Sequence, residues 1–170
     1  MLSADEDGGF SWLSPDGAAQ GVFALGEKLL ASPVFAFGTG LAQGRDGTLA
    51  PVSARLATTA PTYVAQQLPA AGWVESTPAV GADGTVYVAA GRTLRALAPG
   101  GALLWEAPLA GVATASSPVL GCDGTLYLGD SSGSVTALAT DSKGLADGGW
   151  PRFRHDPRGT GNASSPRCEE

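Results

Sequence analysis

Apolar residues along this chain alternate with small or polar ones in short runs, and each run ends at a glycine, a proline or an aspartate. The run "TPAVGA" leads to Asp83-Gly84, a hairpin signal because glycine accepts the positive φ that such turns require. "TVYVAA" follows as the return strand, with Val86 and Val88 on one face and Tyr87 on the other. After Gly91 comes "TLRALA", then a turn at Pro99-Gly100-Gly101, then "ALLWEAPL" with the bulky Trp105. Four strands of about five residues, joined by connections of about five, make a unit of about forty.

The same phrase recurs. "STPAVGADGTVYVA" at Ser76 to Ala89 is matched by "SSPVLGCDGTLYLG" at Ser116 to Gly129, so that Pro78 aligns with Pro118, Asp83 with Asp123, Gly84 with Gly124 and Tyr87 with Tyr127, all at an offset of 40. Further back, Ser14 to Val34 aligns with Ala98 to Val119 at an offset of 84 that becomes 85 after one gap. A Ser-Pro or Thr-Pro marker therefore stands at Pro33, Pro78, Pro118 and Pro166. The segments "FSWLS" (Phe10 to Ser14), "LAPVS" (Leu49 to Ser53), "LRALA" (Leu94 to Ala98) and "VTALA" (Val135 to Ala139) hold equivalent places as third strands.

A four-stranded unit repeated every 40 to 48 residues predicts an all-β fold of β-propeller blades, each a four-stranded antiparallel sheet, with three to four repeats in an incomplete propeller. The expected division is a partial blade over 1–31, blades over 32–75 and 76–115, a blade with a closing segment over 116–161, and a tail over 162–170. Helical repeats are excluded, because prolines and glycines punctuate the chain too often. A β-sandwich shares the short strands but does not need one turn phrase at a fixed offset.

Met1 falls just before a third-strand element, so the first blade is expected to lack its earlier strands. Closed propellers take about four to eight blades. Two arrangements supply the rest: missing N-terminal blades of a larger propeller, which the mid-blade start favours, or self-association of copies into a ring.

Composition agrees with strands and turns, since 25 glycines and 12 prolines in 170 residues are too many for helices. A net charge of −6 argues against nucleic acid. No window reaches the ~20 apolar residues of a membrane span, and the N-terminus lacks the basic flank and apolar core of a signal peptide. Arg152, Arg154, Arg158 and Arg167 cluster near the C-terminus; they balance the acidic start at Asp5, Glu6 and Asp7 or meet an acidic partner.

No catalytic, cofactor-binding or metal-ligating residue is expected. "GDSSG" (Gly129 to Gly133) matches a nucleophile-elbow spacing, but the preceding repeat holds "AAGR" there, leading into a strand, so the segment reads as a hairpin loop. His155, the only histidine, adjoins Asp156; neighbouring side chains on a strand point apart, so a turn or closing-strand contact with Arg154 is expected. Asp83 and Asp123 are read as turn residues, because calcium needs several converging oxygens. Of Trp12, Trp73, Trp105 and Trp150, the latter two are expected to fill gaps between neighbouring blades. Cys122 and Cys168 form no Cys-x-x-Cys pair and could form one disulfide. Asn162-Ala163-Ser164 is a glycosylation sequon in a tail, and Gly38-Thr39-Gly40 lacks the rest of a dinucleotide fingerprint.

The repeats "SSPVLGCDGTLYLGDSSGSVTALATD" and "STPAVGADGTVYVAAGRTLRALAPGGALLW" resemble those of the pyrroloquinoline-quinone-like (PQQ-like) propeller family. "GLADGGWPRFRHDPRGTG" (Gly144 to Gly161) resembles a segment that bacterial members place at a propeller end. The calcium ligands and adjacent cysteine pair of true quinoprotein dehydrogenases are not recognisable, so the resemblance implies the scaffold and no cofactor. The repeat architecture, with no catalytic groups assembled, predicts a non-catalytic protein-binding or structural scaffold whose faces and inter-blade grooves bind another protein or a surface polymer, and the resemblance implies the bacterial cell envelope, periplasmic or extracellular, as its setting. The alternative is a fragment of a PQQ-dependent dehydrogenase whose cofactor site lies in missing blades.

Overall fold

A computed structural model describes residues 2–13, 16–53, 65–69, 74–113, 115–165 and 168, and every regular element among them is a strand. The first sheet holds β1 (Leu2–Ala4), β2 (Gly9–Leu13) and β3 (Ala19–Ala24). The second holds β4 (Val34–Ala36), β5 (Thr39–Gln43), β6 (Thr48–Ser53) and β7 (Gln66–Gln67). The third holds β8 (Ala79–Val80), β9 (Val86–Ala90), β10 (Thr93–Leu97) and β11 (Leu103–Pro108). The fourth holds β12 (Val119–Leu120), β13 (Thr125–Gly129) and β14 (Val135–Ala139). Each sheet is an antiparallel meander of consecutive strands, the architecture of propeller blades.

The hairpins form where the Asp-Gly phrase stands. Asp83 accepts the Thr85 N–H at 3.0 Å and its hydroxyl at 2.9 Å, and Asp123 holds Thr125 in the same way. Gly84 and Gly124 follow at φ 82° and 84°, a conformation costly for a residue with a Cβ. The first blade departs from expectation: it does not lack all its earlier strands, because β1 pairs with β2, Leu2 opposite Trp12. Asp5 makes this tight return feasible, its carboxylate taking the N–H groups of Asp7 and Gly9.

Alternation gives each sheet a leading face, towards the next sheet, and a trailing face. Leading Val34 and Leu41 of the second sheet meet trailing Val80, Val86 and Val88 of the third. Leading Ala79, Tyr87, Leu94 and Ala96 of the third meet trailing Leu120, Leu126 and Leu128 of the fourth. Phe10 packs with Ala42 between the first and second. The core thus lies between sheets, and β9, covered on both sides, is buried at every position.

Beyond Ala139 the chain leaves the fourth sheet. The segment expected to close that blade instead runs past the innermost strands of two others. Ala146 donates to the Val80 carbonyl at 2.9 Å, Val80 donates to the Pro151 carbonyl at 2.8 Å, and Phe35 and Trp150 exchange bonds at 2.8 and 2.7 Å. Gly149 permits this approach, since a Cβ there would lie 2.4 Å from the Phe35 carbonyl oxygen. A disulfide between Cys122 and Cys168, spanning 46 residues, ties the end of the chain to the first hairpin of the fourth sheet.

Two predictions follow from this packing. Leu126→Ala should cost about 2–5 kcal/mol, whereas Tyr127→Ala, one residue away on the open face, should stay within about 0.5 kcal/mol; urea unfolding at unchanged m-value checks the pair. Reducing the disulfide, or Cys122→Ser with Cys168→Ser, should cost about 2–4 kcal/mol and accelerate amide exchange of Phe35, Val80, Ala146 and Trp150. Unchanged exchange at those amides would show that the segment holds without the staple.

Candidate functional site

The polar groups between sheets explain the sequence markers. The residues before Pro33, Pro78 and Pro118 are Ser32, Thr77 and Ser117. Ser32 donates its N–H to the Thr77 hydroxyl at 3.0 Å, and Thr77 donates its N–H to the Ser117 hydroxyl at 3.0 Å. Each blade therefore offers an amide to the hydroxyl of the next. Among the described residues this ladder ends at Ser117.

A second connection joins the third and fourth sheets. Ser142, fully buried just beyond β14, donates to the Asp83 carboxylate at 2.6 Å. Its proton being so used, it accepts the Tyr87 hydroxyl at 2.6 Å. Burial acts to raise the Asp83 pKa, but the hydroxyl of Ser142 and the N–H and hydroxyl of Thr85 outweigh it and hold the carboxyl below its ordinary value. Burial pushes the Tyr87 phenol up. Gln43, fully buried on the second sheet, donates to the Ala89 carbonyl of the third at 3.2 Å.

The open surface is the leading face of the fourth sheet. Tyr127 lies opposite Val119 and Ala137, as Tyr87 lies opposite Ala79 and Ala96, and as Leu41 lies opposite Val34. Leu41 and Tyr87 are each 1% exposed beneath the following sheet, whereas Tyr127 is 42% exposed. Leu94, fully buried, has its equivalent in Val135, which is 72% exposed. Among the described residues β14 is an outer edge beside this face, without the fourth strand that β11 supplies to the third sheet.

The remaining sequence candidates separate. "GDSSG" is the β13–β14 hairpin, where Asp130 holds the Ser132 N–H at 2.8 Å, and no helix follows it. Trp105 is half-buried on β11 and packs on Tyr87, ring centroids 6.0 Å apart. Trp150 does not fill a gap between sheets: it bridges to Phe35 at the inner edge and packs against His155, ring centroids 5.0 Å apart and planes tilted by 57°. The side chain of Trp12, and Trp73 and Pro166 altogether, lie outside the described residues.

His155 and Asp156 do not point apart, because Arg154 and His155 stand at φ 61° and 74° rather than in a strand. This brings His155 Nδ1 to 3.9 Å from Asp156 Oδ2, both residues buried, while Arg154 lies over the Phe153 ring. Asp156 is occupied by its own loop, accepting the Arg158 N–H at 2.8 Å and the Thr160 hydroxyl. A cleft of about 420 Å³ beside His155 is lined by Ala82, Lys143, Leu145 and Cys168. Among the described residues no three His, Cys, Asp or Glu side chains converge as metal ligands.

Sequence reasoning missed Ser142 and Gln43, which carry no local signal. The hydroxyl ladder was legible in the Ser or Thr before each proline, but its role needs the neighbouring blade. Ser142→Ala removes the buried bridge between the Tyr87 hydroxyl and the Asp83 carboxylate and should cost about 1–3 kcal/mol at neutral pH. Because the Asp83 pKa is lowered on folding, its contribution is present above the unfolded value of about 3.9 and is lost as pH falls through the folded value. The stability difference between wild type and Ser142→Ala should therefore shrink from pH 7 to pH 2 in urea unfolding; a constant difference would sink this account of the carboxylate.

No family model matches the chain, and no curated protein matches it. Solved structures do match. BamB from Moraxella catarrhalis superposes with a TM-score of 0.65 at 19% identity over 84% of this chain and 42% of that one. BBS1N, solved in complex with ARL6DN, superposes with a TM-score of 0.63 at 15% identity over 85% and 48%. A streptogramin B lyase superposes with a TM-score of 0.51 at 13% identity over 85% and 56%. These neighbours are β-propellers, and this chain, spanning about half the length of each, has the fold of a partial β-propeller.

Proposed function

We propose that the chain is a non-catalytic, PQQ-like propeller module of the bacterial cell envelope, periplasmic or extracellular, that binds a protein partner through its fourth sheet. The observation that carries this reading is the open leading face, where Tyr127 and Val135 occupy positions whose equivalents are buried one blade earlier. An exposed tyrosine among small apolar neighbours suits a protein contact, since its ring supplies area and its hydroxyl a polar tip. The edge of β14 offers backbone groups for strand addition. The inner edges of β4 and β8, by contrast, are already bonded by the C-terminal segment. The structure of BBS1N in complex with ARL6DN is that of a propeller with a protein bound.

A photo-crosslinking amino acid at position 127, in the cells that make the protein, should give a discrete protein adduct, and one at Glu106 on β11 should give none. Equal adducts at both positions would remove the fourth sheet as the binding surface. Calcium and pyrroloquinoline quinone added to the protein should support no dye-linked alcohol or sugar oxidation; such oxidation would replace the scaffold reading with a quinoprotein dehydrogenase.

A further inference from the structure

We infer that the partner is held by an extended strand added antiparallel to β14, and that this strand carries an aromatic residue opposite Ala137 which packs on Tyr127. This rests on the reading of the fourth sheet as a protein-binding surface and says what the partner presents to it. The bonding direction of β14 follows from its two flanks. The Ser134 carbonyl accepts the Asp130 N–H at 3.0 Å, and the Thr140 N–H goes to the Gly124 carbonyl at 2.9 Å, so both flanks bond inward towards β13. Alternation along an antiparallel strand then turns the N–H and C=O groups of Val135, Ala137 and Ala139 outward. Among the described residues no strand takes them up.

The outer strands of the other sheets carry features that discourage a further strand. β7 has two residues, β3 pairs across a register shift, and β11 carries Glu106 and Pro108 beside a shift of its own. β14 reads Val-Thr-Ala-Leu-Ala, uncharged and without proline, and keeps an unbroken register with β13. The third sheet shows which strand fits such an edge. β10 stands where β14 does, with Ala96 opposite Tyr87 as Ala137 is opposite Tyr127, and β11 places Trp105 opposite Ala96. The Trp105 ring lies 6.0 Å from that of Tyr87 and packs on the apolar layer from the outer strand. Two residues on, Ala107 stands opposite Leu94, whose equivalent is the exposed Val135. Between them Glu106 pairs with Arg95 at 3.3 Å, but the equivalent of Arg95 is Thr136, so the added strand needs no acidic residue there. The partner segment is therefore extended and reads aromatic, any residue, small apolar, with main-chain bonds supplying affinity and the ring on Tyr127 supplying selectivity.

The probe is a synthetic peptide with the sequence of residues 101–110, Gly-Ala-Leu-Leu-Trp-Glu-Ala-Pro-Leu-Ala. Added to the full chain at up to about 1 mM, it should slow amide exchange of Val135, Ala137 and Ala139 by about tenfold or more and leave Val86 and Val88 of the third sheet unchanged. The peptide bearing Trp105→Ala, or N-methylated at positions 105 and 107, should bind about tenfold more weakly or not at all. In the protein, Ala137→Pro removes an outward N–H where an edge strand tolerates proline. With an unchanged circular dichroism signal it should abolish both the protection by the peptide and the cellular adduct from position 127. A peptide that leaves the three edge amides exchanging as before would overturn the inference, as would an N-methylated peptide that protects them as well as the parent. An adduct from 127 that survives Ala137→Pro would also overturn it, and would leave the binding surface standing, because the partner would then lie on the face without adding a strand.

Discussion

Everything in this molecule depends on the covering of one sheet by the next. A three- or four-stranded sheet with both faces in water is marginal, because its backbone bonds replace bonds to water almost evenly. What tips the balance is the apolar face removed from solvent, and among the described residues that occurs between blades: Leu41 under Val86 and Val88, Tyr87 under Leu126 and Leu128. Apolar burial has no direction, so it does not by itself fix the angle or register of two sheets. The polar connections do. The amide-to-hydroxyl ladder through Ser32, Thr77 and Ser117 sets the inner ends, and the strut of Tyr87, Ser142 and Asp83 sets the third blade against the fourth.

Such a nearest-neighbour architecture is weakest at its ends and along its inner edges. The C-terminal segment deals with the inner edges. By bonding Val80 and Phe35 it satisfies strand edges near the axis, and by bridging two blades it adds a contact that the stacking does not supply. The disulfide closes the loop at the fourth sheet, so the last blade and the segment constrain each other. The strain at Arg154 and His155 lies in the loop that turns this segment back, stabilised by Asp156 and the buried Arg152, whose guanidinium donates to the Asp156 carbonyl.

Much of the fold was legible because the repeat states it more than once. Asp83-Gly84 and Asp123-Gly124 fix hairpins by local chemistry, and Phe10 to Ser14 or Leu94 to Ala98 fall on third-position strands because alternation with a common register survives tertiary packing. Features made by partners far along the chain were not legible. Nothing local distinguishes Ser142 from other loop serines, since its role is set 59 residues away at Asp83. Trp105 and Trp150 are both expected between blades from the sequence, yet Trp150 bonds an inner edge while Trp105, on the outer strand, packs on Tyr87. His155 was misread because a positive φ at a histidine is imposed by the surrounding loop and has no glycine to announce it.

Exposure alone does not identify the surface that matters. Leu103 and Leu104 on β11 are 53% and 54% exposed, more than Tyr127. They stand where the pairing of β10 with β11 shifts register, Leu97 opposite Leu103 and Ala96 opposite Trp105, so they continue no regular row of the sheet. Tyr127, Val119 and Ala137 are register partners across three strands, and Val135 follows two residues before Ala137 on the same face, so their exposed areas adjoin. The distinction is one of periodicity. An apolar residue standing singly in water is ordinary, whereas a row that repeats the buried row of the preceding blade, position by position, is a core surface without its cover.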